Sequence, residues 1–432
     1  MKRLLLEQEF DSDEIARLSQ EVQYLTKHGL FDPSSSYYSF ELAKKLRNQM
    51  KIDTPITQLQ LEMAGGCNLA CKYCYCSVSR DMPTSGLMRK SVAKEAIDQL
   101  LRQDITDASI TMFGGEPLLN KSLFTYIMDY VPREAKKLDK KINYVITTNA
   151  TLLDDEIINY IVNFNFGLMV SLDGPKELHD QQCPTKSGEG SFELAVQKIK
   201  TLMTKRSVSV RATMIHPIPD LKGLIDFFVE FGFYNMAICA AINRIDAKTV
   251  TDFTKDDVKK LCQQEENILP WMLEFLKRKK YPPYFTYDNW YNDIAHDRID
   301  CSMKTVNCGA GVNTLSVDTS GNYYPCAKFL GMKNWQIGNI KDGIDNEKRT
   351  DIWSRFLQCI KPKCSKCWAY HICKGPCIWE CSKNDGTFKF NDILCEYKKK
   401  GIENSAYLHM KVRDNLDRKE SNEVAQLATC NI

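Results

Sequence analysis

The most informative stretch of this chain is a short loop that carries three cysteines. Cys67, Cys71 and Cys74 stand at i, i+4 and i+7, and Tyr73 directly precedes the third. An iron–sulfur cubane normally takes four thiolates, so three would leave one iron open to another ligand. Cys76 lies too close to Cys74 in the sequence to be an easy fourth ligand. On spacing alone, a zinc site or a set of reduced structural thiols is the alternative.

Six strand-like segments alternate with helix-like segments from about residue 57 to 240, and the first strand leads into the cysteine loop. The predicted strands are Leu59–Met63, Ser109–Phe113, Asn143–Thr147, Gly167–Ser171, Ser207–Thr213 and Asn235–Ala240. Ser191 is the predicted cap of the helix that begins at Phe192. This alternation predicts a parallel sheet with helices outside, in which reactive groups lie at the carboxyl ends of the strands.

Polar residues and glycines occur at those strand ends. They are Gly114, Gly115, Glu116, Asn149, Ser171, Asp173 and Arg211. The two glycines would let backbone amides approach a ligand closely, and Glu116 offers a carboxylate. Each residue alone has an ordinary explanation as part of a turn or a cap. Together they predict one polar pocket beside the cysteine loop.

The charge and hydropathy of the sequence argue against some classes of function. The net charge is +3, and no polybasic block suited to nucleic acid or anionic lipid stands out. The apolar run at the N-terminus is too short for a signal peptide, and no apolar stretch is long enough to span a membrane. We therefore expect a cytoplasmic protein that binds neither nucleic acid nor membrane. Eighteen cysteines in such a protein indicate metal or redox chemistry and not disulfides.

Cysteine becomes dense from residue 301 onward. The cysteines there are Cys301, Cys308, Cys326, Cys359, Cys364, Cys367, Cys373, Cys377, Cys381 and Cys395. Between Cys308 and Cys326, the segments Thr314–Asp318 and Tyr323–Tyr324 predict a β-hairpin with a cysteine at each end. A region with so many thiols and few long apolar runs is expected to fold around metal.

We divide the chain into five parts. These are a helical N-terminal extension (1–55), an α/β core (56–250), a helical bridge (251–300), the cysteine-rich domain (301–400) and a C-terminal tail (401–432). The extension is predicted to contain helices at Asp13–His28 and Phe40–Met50. The aromatic residues of the bridge are expected to pack in the core and not to contact substrate.

These motifs resemble those of radical S-adenosylmethionine (SAM) enzymes with a C-terminal SPASM domain, and the resemblance covers roughly residues 55–400. The triad with Tyr73 looks like the cluster motif, and Gly114-Gly-Glu-Pro117 looks like the element for the SAM amino group. Cys308, twelve residues, Gly321, four residues and Cys326 match the start of the SPASM pattern. The resemblance implies a partial (β/α)6 TIM-like barrel, the SPASM domain and the short helical N-terminal extension.

The resemblance also implies three [4Fe-4S] clusters. Cys67, Cys71 and Cys74 would hold the SAM-binding cluster. Cys301, Cys308, Cys326 and Cys377 would hold one auxiliary cluster, and Cys364, Cys367, Cys373 and Cys395 the other. SAM contacts are expected at Tyr73, Gly114, Gly115, Glu116, Asn149, Ser171, Asp173 and Arg211. Relatives often have arginine where Cys183 stands. Either Arg211 or Lys186 would take over the polar role of that arginine, or Cys183 has a function of its own.

The resemblance further implies a radical SAM peptide maturase. Such an enzyme reductively cleaves SAM to a 5′-deoxyadenosyl radical, which abstracts hydrogen from a residue of a ribosomally made peptide and gives a thioether, a carbon–carbon cross-link or a related modification. A precursor peptide with a leader and a low-potential electron donor, flavodoxin or ferredoxin, would be its partners. The alternatives are an anaerobic sulfatase-maturating (formylglycine-forming) enzyme, radical chemistry on a small molecule, and a non-catalytic metal-binding scaffold. Ala327, followed by Lys328, stands where the sulfatase-maturing branch typically has an acid, which favours the peptide maturase.

Overall fold

The computed structural model describes residues 54–78, 86–244, 246, 247, 249, 252–286, 288–295 and 308–413. The helices predicted at Asp13–His28 and Phe40–Met50, the aromatic residue Tyr287 and the predicted ligand Cys301 lie outside these residues. The boundaries of the five parts stay predictions.

A sheet of eight strands forms the centre of the fold, and its first six strands run parallel, as predicted. The strands are β1 (Gln58–Ala64), β2 (Asp107–Gly114), β3 (Lys141–Thr148), β4 (Gly167–Ser171), β5 (Ser209–Met214), β6 (Asn235–Ala240), β7 (Thr314–Val317) and β8 (Tyr323–Tyr324). Their order is β6-β5-β4-β3-β2-β1-β7-β8. The first six are neighbours in chain order, so each crossover winds the same way, as in a barrel.

Helices cover the outside of the sheet and build the C-terminal region. They are α1 (Tyr75–Val78), α2 (Lys90–Leu101), α3 (Lys121–Lys137), α4 (Asp155–Asn163), α5 (Lys176–Gln182), α6 (Phe192–Met203), α7 (Leu221–Phe231), α8 (Lys255–Lys277), α9 (Asp288–Ala295), α10 (Asn346–Cys364), α11 (Tyr370–Cys373), α12 (Ile378–Cys381) and α13 (Ile393–Arg413). In the described part of the chain, no helix combines the length and the apolar character needed to cross a membrane.

Ser191 occupies the N-cap position of α6, as predicted, but it does not cap the helix with its side chain. The side chain of Ser191 makes no capping bond; its hydroxyl instead donates to Cys183 O at 2.5 Å and lies 3.0 Å from His179 Nε2. The first amide of the helix, on Phe192, donates to Asp180 Oδ1 at 2.8 Å. The carboxylate of Asp180, twelve positions before Phe192, therefore accepts the bond from the helix amide in place of the Ser191 hydroxyl. Ser191 instead stabilises the segment between α5 and α6.

The predicted β-hairpin forms, and it extends the central sheet. β7 and β8 pair antiparallel, and β7 pairs parallel with β1. Gln60 supports this edge, because its Oε1 accepts from the Ser316 hydroxyl (2.6 Å) and from the Ala327 amide (2.8 Å). The hairpin therefore fixes Cys326 close to the strand that leads into the cysteine loop. A small second sheet, β9 (Gly338–Asn339) with β10 (Gly343–Ile344), follows.

The aromatic residues of the bridge pack inside the protein, as expected. Tyr284 and Tyr291 are buried, and Trp271, Tyr281 and Trp290 are partly buried against the core. A buried carboxylate joins this region to α13, because the side chain of Glu265 accepts from the hydroxyls of Tyr284 (3.1 Å) and Tyr397 (2.9 Å).

Candidate active site

The cysteine loop leaves the carboxyl end of β1 and is braced by the segment after α5. The amide of Ala70 donates to Pro184 O at 2.8 Å, and the amide of Lys72 donates to Gln182 O at 2.9 Å. These partners are more than a hundred positions away in the chain, and no sequence motif predicted the contact. The brace holds the backbone that carries all three thiols.

The glycine pair after β2 lies against the same loop. A Cβ atom on Gly115 would stand 2.2 Å from Gly66 O and 2.8 Å from the amide nitrogen of Cys67. The amides of Gly115 and Glu116 donate to Ala64 O (2.9 Å) and Gly66 O (3.1 Å). The protein itself therefore occupies these two amides, and contact of the glycine pair with SAM stays a prediction. Here the absence of a side chain permits contact between two loops.

Glu116 joins the ends of β2 and β3. Its Oε1 accepts from the amide of Leu118 (3.0 Å) and the hydroxyl of Thr148 (2.8 Å), and its Oε2 accepts from the amide of Asn149 (2.8 Å). The side chain is buried, and burial raises its pKa to about 7 although the three donors act in the opposite direction. Each oxygen of the carboxyl already has a protein donor.

Asn149 is held against the cysteine loop by a closed ring of three side chains. Its Nδ2 donates to Asn68 Oδ1 (2.9 Å), Asn68 Nδ2 donates to the Thr151 hydroxyl (2.8 Å), and that hydroxyl donates to Asn149 Oδ1 (2.7 Å). The same Nδ2 lies 3.6 Å from the sulfur of Cys67. The ring fixes the amide of Asn149 beside the first thiol.

Tyr73 is anchored by Asp173. The tyrosine hydroxyl donates to Asp173 Oδ2 at 2.8 Å, and Asp173 Oδ1 accepts from the amide of Thr213 at 2.9 Å. Burial raises the pKa of Asp173 to about 6. The sulfur of Cys183 lies 3.2 Å from the same hydroxyl and within hydrogen-bonding reach of Cys71. Asp173 therefore holds the Tyr73 hydroxyl, and its direct contact with SAM stays a prediction.

The carboxyl ends of the strands surround a cavity of about 250 Å³, and the other predicted site residues line it together. These residues are Cys67, Cys71, Tyr73, Cys74, Gly114, Gly115, Glu116, Asn149, Ser171 and Arg211. Ser171 and Arg211 are partners in the β4–β5 register, so they reach the cavity side by side. Cys183 also lines the cavity, whereas Lys186 is exposed outside it.

One wall of the cavity comes from the C-terminal region, and no sequence motif predicted its most prominent feature. The Lys328 ammonium lies 4.3 Å from the centre of the Trp379 ring, close enough for a cation–π contact. Trp379 is buried and meets Tyr75 edge to face, with ring centres 5.8 Å apart. Among the described residues no carboxylate forms an ion pair with Lys328. A cation on an aromatic surface therefore lies in the same cavity as the three-cysteine loop.

The thiols predicted for the first auxiliary cluster are neighbours where the structure describes them. Cys326 lies within electrostatic range of Cys377 and Cys308. Burial raises the pKa of Cys326 to about 12 and that of Cys377 to about 11. The fourth predicted ligand, Cys301, lies outside the described residues.

The thiols predicted for the second auxiliary cluster also lie together. Cys364 has Cys373, Cys395 and Cys367 as its electrostatic neighbours, and burial raises its pKa well above the ordinary value. Cys381, to which the sequence assigned no role, is a further neighbour of Cys364 and is fully buried.

The donor chemistry of these groups fits iron–sulfur ligation. All sixteen described cysteines are free thiols. Within the described ranges, no three Cys, His, Asp or Glu side chains are arranged to hold one metal ion. A cubane does not require that arrangement, because each of its irons takes a different thiolate. The number of clusters and their individual ligands stay predictions.

Comparison with known proteins agrees with this geometry. The radical SAM superfamily profile matches residues 61–227. The cysteine-type anaerobic sulfatase-maturating enzyme of Clostridium perfringens is 26% identical over 370 residues, which cover 80% of this chain and 95% of that protein. Native anSMEcpe with bound AdoMet and the Kp18Cys peptide superimposes with a TM-score of 0.67 at 22% identity, covering 83% of this chain and 99% of that chain. Streptococcus suis SuiB bound to its precursor peptide SuiA gives a TM-score of 0.52 at 15% identity, covering 90% and 82%. The two structures share the fold of this chain.

Proposed function

We propose that this chain, whose residues 61–227 match the radical SAM superfamily profile, matures a ribosomally made peptide. The modification would be a thioether, a carbon–carbon cross-link or a related change. Cys67, Cys71 and Cys74 would hold the SAM-binding cluster, and the two C-terminal thiol groups would hold auxiliary clusters. When bound, the SAM-binding cluster and SAM supply the radical that abstracts hydrogen from the substrate.

The chain's own contribution is to bind and orient. Glu116 and Asn149 are fixed by their hydrogen bonds beside the first thiol, and Arg211, on β5, would offer a cation in the same cavity for the carboxylate of SAM. Asp173 acts indirectly, by holding the Tyr73 hydroxyl. Such pre-positioned groups lower the entropy cost of placing a substrate carbon near SAM.

The observation that carries the choice of peptide maturase is the absence of an available acid in the described wall of the cavity. Glu116 is the one carboxylate among the described lining residues, and both of its oxygens accept from protein donors. Ala327 directly follows Cys326, and the next residue, Lys328, lies in the cavity wall. Formylglycine formation needs a base for the substrate thiol or hydroxyl, whereas some cross-links leave that group intact.

Relatives support a peptide as the substrate class. The solved relative anSMEcpe binds the Kp18Cys peptide, and SuiB binds the precursor peptide SuiA. The cavity beside the cysteine loop would then receive one residue of the peptide, with Lys328 and Trp379 contacting its flank.

Co-expression with a short open reading frame next to the gene tests this proposal. The peptide is purified and its mass is compared with that of peptide made alongside Cys71→Ala. A product lighter by two hydrogen atoms, seen with the wild type and not with the variant, is the expected result. An unchanged mass for every neighbouring short peptide would contradict the proposal.

Sulfatase maturation is the second candidate, and one specific observation favours it. The similarity to the sulfatase-maturating enzyme of Clostridium perfringens extends over 80% of this chain. A cysteine-containing sulfatase peptide distinguishes the two, because formylglycine formation replaces the sulfur by oxygen. Appearance of the aldehyde, detected by a hydrazine probe, would favour this candidate over the cross-linking enzyme.

A further inference from the structure

A groove beside the C-terminal thiols has a floor of cysteines and a rim of lysines. It lies between the start of α8, the end of α10 and the first turns of α13, and its volume is about 500 Å³. It shares no lining residue with the cavity described above. Its rim lysines are Lys255, Lys259, Lys363, Lys366 and Lys399.

The groove is electropositive. Lys363 pairs with Asp392, the Lys399 ammonium lies 3.4 Å from Glu396 Oε1, and the Lys259 ammonium lies 3.4 Å from Oδ1 of Asp256, which is outside the lining. Lys255 and Lys366 have no carboxylate partner in the described part of the chain. Five lysines against the two lining acids, Asp392 and Glu396, give the lining a formal net charge of +3. Positive charge is therefore concentrated at this surface, where it would attract an acidic partner.

The floor of the groove consists of groups suited to electron exchange. Cys364, Cys367 and Cys395 are three of the four thiols predicted for the second auxiliary cluster, and the fourth, Cys373, lies within electrostatic range of the others. Trp368 and Phe390, which lies in the loop before α13, add apolar surface to the lining. Apolar contact surrounded by charge is the usual composition of a transient protein interface. A carrier seated here would approach the thiols directly.

We propose that this lysine-rimmed groove is the docking surface for an acidic one-electron carrier protein of the flavodoxin or ferredoxin class. The inference rests on the proposed function, since a radical SAM enzyme needs such a carrier. The position of the rim over predicted cluster ligands favours a redox protein over an acidic leader peptide, which would have no need of thiols beneath it. Charge complementarity makes the docking fast and dependent on salt.

Anaerobic calorimetric titration of the reconstituted full-length protein with an FMN-loaded bacterial flavodoxin tests the proposal. The charge-reversal variant Lys255→Glu/Lys366→Glu should bind flavodoxin about tenfold more weakly, and added salt should weaken wild-type binding. The matched control is Lys260→Glu/Lys341→Glu. Lys260 is exposed on the same helix outside the groove, and Lys341 is exposed in the turn between β9 and β10. This control makes the same change in net charge and should bind like the wild type.

Three results would overturn the proposal. They are an absence of flavodoxin binding to the wild type, an equal loss of affinity in both double variants, and groove-dependent binding of a short polyglutamate peptide without flavodoxin binding. The titration contains neither SAM nor substrate peptide. Failure of the peptide-maturase proposal would therefore leave this result standing, and the two failures can be told apart.

Discussion

Adding one methyl group at Gly115 should separate the cysteine loop from the rest of the cavity. In Gly115→Ala the new Cβ would stand 2.2 Å from Gly66 O and 2.4 Å from its carbonyl carbon. Both contacts are backbone atoms, so no flexible side chain can move aside. Ordinary contact would require a displacement of the loop by about 1 Å, and a misplacement of that size can cost about 10²-fold in rate. We expect deoxyadenosine release under dithionite to fall by about that factor, while the C-terminal thiols keep their iron.

Gly66→Ala is the matched control, because the same methyl group there meets nothing within 4 Å. Both variants are reconstituted without oxygen, and iron content and deoxyadenosine release are measured side by side. The control should behave like the wild type. If Gly115→Ala also kept the wild-type rate, or if Gly66→Ala lost as much, the close contact between the two loops would not be what positions the thiols.

Two further predictions concern stability, and a third concerns iron retention. Burial lowers the pKa of His179 from 6.5 to about 4, so the unfolded chain takes up this proton first as the pH falls. Protonation of this one group should lower the free energy of unfolding by about 2 kcal/mol between pH 7 and pH 5. His179→Gln should therefore flatten that part of the plot of melting temperature against pH. Equal plots for the variant and the wild type would contradict the prediction. Tyr73→Phe removes the hydroxyl that donates to Asp173 and should cost about 1–3 kcal/mol in urea unfolding, with a loss below experimental error arguing against the anchor. Gln60→Leu removes the acceptor of the Ala327 amide and should lower iron retention at the neighbouring auxiliary site, whereas unchanged iron would show that the β1–β7 edge does not position Cys326.

Local sequence patterns predicted the sheet well. The six parallel strands form within two residues of their predicted ends, because each carries buried apolar residues, in β1, β2 and β3 largely at alternate positions, and such a pattern marks a strand. The residues that follow these strands then had to converge, since parallel strands end on one edge. That is why nearly all predicted cavity residues meet.

Interactions between distant parts of the chain could not be predicted. Ser191 has the residue type and position of a cap, yet Asp180 takes the helix amide and Ser191 bonds to Cys183 O. The pairing of β1 with β7 joins Gln60 to Ser316, 256 positions apart, and no periodicity records such a partner. Lys328 was noted in the sequence as a departure from a motif, but its place over an aromatic ring in the cavity depends on tertiary packing alone.

Anaerobic reconstitution followed by parallel assays of iron and 5′-deoxyadenosine tests the central claim most directly. We expect about twelve iron atoms per chain and a broad absorption in the visible range. We also expect release of deoxyadenosine when dithionite and SAM are added. Cys71→Ala should abolish that release while retaining the auxiliary iron. A chain that binds only a few zinc ions and leaves SAM intact would contradict the enzyme and leave a metal-stabilised scaffold in its place.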